Sequence, residues 1–103
     1  MQKQELTPEM EFLVEIEVNW PVNGDPVLRE KLILEESERA KELSKAGFIR
    51  HIWRVPGRWA NVGIWEADNA TDLHEALSSL PFFPWLNITV RPLASHPNSP
   101  AWR

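Results

Sequence analysis

Two strand-like runs, Ile49 to Val55 and Trp59 to Glu66, face each other across Pro56-Gly57 in the middle of the chain. Runs of this length joined by a Pro-Gly pair read as a hairpin. A central hairpin divides the rest of the chain into two halves. Before it, Glu11 to Asn19 alternates, with Phe12, Val14, Ile16 and Val18 on one side and Leu13, Glu15, Glu17 and Asn19 on the other. That is the pattern of a half-buried strand. The turn residues from Trp20 to Pro26 break it, Asp25 caps a helix opened by Pro26, and Gly47 closes that helix after about Ala46. After the hairpin, Asp68 to Asp72 supplies several caps for a short helix over about Thr71 to Ser79, ended by Leu80-Pro81-Phe82-Phe83-Pro84. Leu86 to Val90 alternates as a fourth strand, and from Pro92 the chain is expected to be an extended tail. The order β-α-β-β-α-β predicts an α+β, ferredoxin-like fold: a four-stranded antiparallel sheet with two helices on one face.

Such a sheet leaves its other face bare. The candidates for that face are bulky: His51 and Trp53, or Trp59 and Trp65. The chain has 6 Trp and 4 Phe beside no Tyr, and a monomer would expose a large aromatic patch. The sheet is therefore expected to pack against a second subunit or to close over a ligand. A length of 103 residues suits one domain, here placed at 11–97, with 1–10 a flexible N-terminal extension and 98–103 a tail. A formal charge of −4 argues against nucleic acid, which needs a basic face. No apolar run approaches a membrane span, so no membrane partner is expected. Met1-Gln2-Lys3-Gln4-Glu5 lacks the apolar core of a secretory signal, and cysteine is absent, so the expected location is cytoplasmic.

The chemistry concentrates in the hairpin. Arg50-His51-Ile52-Trp53-Arg54, then Trp59 and Asn61, put two guanidinium groups, an imidazole, two indoles and an amide around one turn. Simple alternation places 50, 52 and 54 on one face of the strand and 49, 51, 53 and 55 on the other. Arg50 and Arg54 suit a carboxylate clamp; pairing with Glu15, Glu17 or Glu36 explains them equally well. His51 suits acid-base work or a hydrogen bond inside an interface. Asn61 shares a face with Trp59 and Trp65, and Gly63 between them leaves room for a ligand or marks a bulge. On the first helix, Leu28, Leu32, Ala40 and Leu43 form the inward stripe, and Glu36 falls on it. A carboxylate there is either paired or functional, and burial would raise its pKa towards the range of a general base. His51, His74 and His96 have no metal-ligand spacing, so no metal is expected.

Arg50-His51-x-Trp53-Arg54-x-x-Gly57, Ala60-Asn61, Leu73-His74, Leu80-Pro81-x-Phe83-Pro84 and His96-Pro97 together resemble the muconolactone Δ-isomerase family, with Asp25-Pro26, Glu36 and Gly47 in step. The resemblance runs from about Glu11 to Pro97. It implies a dimeric α+β barrel type of fold, assembled as dimers within a larger ring. It also implies a cofactor-free enzyme of the β-ketoadipate route of aromatic-compound catabolism. The implied reaction shifts the double bond of a carboxymethyl-substituted butenolide, a small-molecule lactone. A 1,3-proton shift needs a base that returns its proton, an anchor for the carboxylate and a donor for the dienolate oxygen. Glu36 or His51 fits the base, Arg50 or Arg54 the anchor, and Asn61 or His51 the donor, with Trp53 and Trp59 as walls. The chain departs from the family at Arg58-Trp59, where His-Tyr is expected, and at Gly63, often Ser. Halide elimination from a chlorinated muconolactone is the near alternative. A cofactor-independent monooxygenase using Asn61, Trp65 and His74, or a non-catalytic binding module, are the remote ones.

Overall fold

The computed structural model describes residues 10–100; most of the expected N-terminal extension and the end of the tail lie outside the described residues. The elements are β1 (Met10–Val18), α1 (Pro26–Lys45), β2 (Ile49–Arg54), β3 (Ala60–Ala67), α2 (Ala70–Ser78) and β4 (Leu86–Leu93), with a single 3₁₀ turn at Phe83–Trp85 before β4. The sheet order is β2-β3-β1-β4 and each neighbouring pair is antiparallel. This is the expected ferredoxin-like arrangement.

Local chemistry sets the ends of the elements. Asp25 accepts a hydrogen bond from the Val27 N–H at 2.9 Å, and Pro26 opens α1 with a ring that already holds a helical φ. Ala46 caps the other end, and Gly47 follows at φ 94°, a left-handed conformation that only glycine adopts cheaply. Asn69 takes the capping role for α2, accepting from the Asp72 N–H at 2.8 Å. In the hairpin turn Gly57 has φ 79° and the Arg58 N–H reaches the Val55 carbonyl at 3.3 Å. Pro followed by a positive-φ glycine is the signature of a type II turn.

The core lies between the sheet and the helices. Phe12, Val14 and Ile16 of β1 meet Leu43 of α1 and Leu73, Ala76 and Leu77 of α2. Trp65, a candidate for the bare face, is instead only 1% exposed at the centre of this core. Leu32 and Leu43 are buried as the helical stripe requires, but Leu28 is exposed at the first turn. β4 runs on through Pro92 to Leu93, where an extended tail was expected. It is an edge strand, where a missing N–H is tolerated.

Simple alternation fails on β2. Ile49 pairs with Trp65, but His51 pairs with Ile64, so Arg50 is an extra residue and the strand bulges. Ile49, Ile52 and Arg54 therefore share the helix-covered face with Trp65, Gly63 and Asn61, whereas His51 and Trp53 lie on the bare face with Ile64 and Val62. Gly63 belongs to this bulge and does not open room for a ligand. A Cβ there would overlap the His51 carbonyl oxygen and lie 3.3 Å from the Ile52 Cα, both backbone atoms that cannot swing away. Gly63→Ala is expected to cost about 1–3 kcal/mol, the usual range for overpacking. Each kcal/mol should lower the melting temperature by roughly 4–8 °C, and thermal denaturation followed by circular dichroism measures it.

Candidate active site

A cavity of about 450 Å³ opens between α1 and the helix-covered face of the sheet. That is within the ordinary range for a small-molecule site. Its floor is a cross-strand row: Ile16 of β1 pairs with Asn61 of β3, which pairs with Arg54 of β2. Glu36 looks down on this row from α1, with Ile33 one turn earlier, and Trp59 and Phe82 complete the walls; Trp53 borders the cavity from its place in β2 between Ile52 and Arg54, while its ring stacks on His51 on the other face. Residues far apart in the chain meet here because α1 crosses the same sheet face to which the bulge turns Arg54.

Glu36 is half-buried, and its Oε1 accepts a hydrogen bond from the Phe82 main-chain N–H at 3.0 Å. Burial holds its pKa above the ordinary value of 4.5, and the Phe82 N–H, which stabilises the charged form, pulls the other way. Burial is the larger effect, so this carboxylate accepts a proton more readily than a surface one. Asn61 is also half-buried, and its Oδ1 is buried with no hydrogen-bond partner among the described residues. A buried amide oxygen left unpaired is costly, and here it borders a cavity from which a ligand can satisfy it. Arg54 is exposed at the mouth and makes no ion pair among the described residues.

Arg50 and His51 do not reach this cavity. Arg50 is tied to Glu66, Nη1 to Oε1 at 2.8 Å, and not to Glu15, Glu17 or Glu36. His51 stacks on Trp53 with ring centres 5.6 Å apart and planes within 7°. Of the two departures from the family at the turn, Arg58 pairs with Glu17 at 2.6 Å. Trp59 stands edge-on to Phe82 at 5.5 Å. Asn61, Trp65 and His74 are not gathered around one space: Trp65 is in the core, and His74 is exposed on α2 with its ring edge-on to Phe83. Phe82, the undesignated position of the Leu80-Pro81-x-Phe83-Pro84 motif, was not among the residues expected at the site. An aromatic residue between two prolines after a helix was the available signal.

The chain belongs to the muconolactone Δ-isomerase family. The family described as muconolactone delta-isomerase matches residues 10–99, which covers the whole sheet, both helices and every wall of the cavity. The chain is 39% identical over 90 residues to the muconolactone Delta-isomerase of Pseudomonas aeruginosa, an alignment covering 87% of this chain and 94% of that one. It is 38% identical over 85 residues to the muconolactone Delta-isomerase of Rhodococcus opacus, covering 82% and 91% respectively. A crystal structure of muconolactone isomerase superposes with a TM-score of 0.84 at 36% identity, covering 91% of this chain and 98% of that one. A muconolactone isomerase-family cavity with one half-buried carboxylate, one unpaired amide and one arginine at its mouth is thus placed entirely within the matched region.

Proposed function

We propose that the protein is a muconolactone isomerase that shifts the double bond of a carboxymethyl-substituted butenolide by proton transfer within the cavity. The observation that carries this reading is the convergence of Glu36, Asn61 and Arg54 on one largely apolar space. Arg54 pairs with the substrate carboxylate, for which its planar fork is suited. Glu36 removes a ring-system proton, and the electron pair moves into the lactone carbonyl as a dienolate. The Asn61 amide serves the dienolate oxygen: a half-turn of its carboxamide directs an N–H into the cavity in place of Oδ1. Glu36 then returns the proton two carbons away, so the product is an isomer and nothing is consumed. Trp59 and Phe82 exclude water, which protects the dienolate from stray protonation and strengthens each polar contact. The chemistry calls for no cofactor.

The bare sheet face supports a homo-oligomer. Leu13, Val62 and Ile64 lie there beside Trp53 and His51, and Trp53 is 49% exposed. Packing against a second copy would cover this patch. No helix among the described residues is long and apolar enough to cross a membrane, and a cytoplasmic location fits the absence of cysteine. The deciding experiment is an ultraviolet assay of the purified protein on muconolactone and its methyl and chloro analogues. Conversion of muconolactone without added metal or cofactor is expected. Binding without turnover, or turnover only with chloride release, would refute the isomerase reading.

A further inference from the structure

Phe82 is buried at 2% exposure, and three indoles surround its ring. Trp20 stands perpendicular to it at 5.9 Å, Trp59 edge-on at 5.5 Å and Trp85 edge-on at 6.4 Å. Trp20 and Trp85 also contact each other, at 4.9 Å. The cluster is fastened from behind. The Asn19 N–H donates to the Trp85 carbonyl at 2.8 Å, and the Val18 N–H donates to the Trp59 carbonyl at 3.0 Å. Trp20 is seated so closely on Gly24 that a Cβ there would come within 2.5 Å of its Nε1. Three separate parts of the chain thus grip one residue.

That residue's main-chain N–H is the group that holds Glu36. The contact spans 46 positions and fixes Oε1 at 3.0 Å. A carboxylate held by one oxygen has one rotational freedom fewer, and its second oxygen becomes the one available to substrate. We propose that Trp20, Trp59 and Trp85 act through Phe82 as a positioning device, keeping the Phe82 N–H on Glu36 Oε1 and leaving Oε2 as the oxygen that exchanges the proton. The inference rests on the reading of Glu36 as the base. Trp20 is the informative member because it does not line the cavity. Of the cavity-lining residues it is Phe82 that its ring contacts, so an effect of changing it on chemistry is expected to pass through Phe82. The hydrogen bond also has a defined direction of effect. A donor to the carboxylate favours the charged form, so losing it leaves the base protonated to a higher pH.

The test replaces Phe82 by its α-hydroxy acid counterpart, which turns the 81–82 amide into an ester. The ester removes the N–H and keeps every ring. Turnover should fall about tenfold to a hundredfold, as for loss of one hydrogen bond to a charged group, with the Michaelis constant little changed. The acid limb of the pH profile should move to higher pH. Trp20→Leu should shift the limb in the same direction, and Trp20→Phe, which restores an edge contact, should largely reverse it. An ester variant with unaltered turnover and an unaltered acid limb would overturn the proposal, and this variant decides the matter even if Trp20→Leu does not fold. Glu36→Gln separates the two ways of failing. If it is inactive while the ester is normal, the base stands and the positioning role is wrong. If it is fully active, both fall together.

Discussion

Glu36→Gln is expected to leave a folded protein whose turnover has fallen by roughly 10²–10⁴-fold, the usual contribution of a positioned general base. The side chain sits on the inward stripe of α1 between Leu32 and Ala40 and borders the cavity. An amide of the same shape keeps an oxygen for the Phe82 N–H but cannot take up a proton. Folding should not suffer, and the sign of the pKa shift says why. The folded-state pKa lies above the ordinary carboxylate value, so the native state binds the proton more tightly than the unfolded chain does. Stability therefore falls as pH rises from the unfolded pKa through the folded one, and above the folded pKa the full penalty of the half-buried charge is present. Glutamine carries no such penalty. The same pKa predicts that wild-type activity is lost on acidification at a pH above that of an ordinary glutamate, because the base must be unprotonated. Exchange of the substrate's acidic proton with deuterated solvent should stop in the variant. Normal exchange in Glu36→Gln together with a dead His51→Gln would move the chemistry to the opposite sheet face.

Arg54→Ala is expected to raise the Michaelis constant about tenfold to a hundredfold, since a hydrogen bond to a charged group contributes roughly 1.5–3 kcal/mol. Turnover should change much less. The substrate carboxylate is equally charged in the ground and transition states, so its anchor contributes uniform binding. Arg54→Lys should recover part of the affinity, because it restores the charge and not the planar fork. Arg50→Ala is the control. Its guanidinium is engaged with Glu66, and it does not border the cavity, so the Michaelis constant should stay within about twofold. A collapsed turnover with an unchanged Michaelis constant in Arg54→Ala would make Arg54 a transition-state group instead of an anchor.

Much of the site was legible because its signals are local. The carboxylate at position 36 stands out against an apolar helical stripe whatever packs on it, and Asp25, Gly47, Gly57 and Asn69 act within a few residues of themselves. The choice between Arg50 and Arg54 was not legible. Alternation gave them the same face, and one inserted residue separated them. The bulge puts Arg50 with Glu66, while Arg54 stays in line with Asn61 and Ile16. A strand's side chains repeat every two residues, so a shift of one sends every later group to the other face. Only the pairing with β3 shows where the shift occurs. Gly63 was its visible trace, and the sequence left that trace open between a ligand space and a bulge.

Element order and helix caps are properties of neighbouring residues, and for this protein the sequence alone determined them; the class of chemistry came from the family resemblance of motifs spread along the chain. Periodicity and capping act over one or two turns and need no partner. Which groups share the cavity was decided by tertiary structure. Glu36 and Phe82 meet across 46 positions, and Trp20, Trp59 and Trp85 meet around Phe82 from three parts of the chain. A main-chain N–H is present at almost every residue and has no sequence signature. Its role comes only from the acceptor that packing places in front of it.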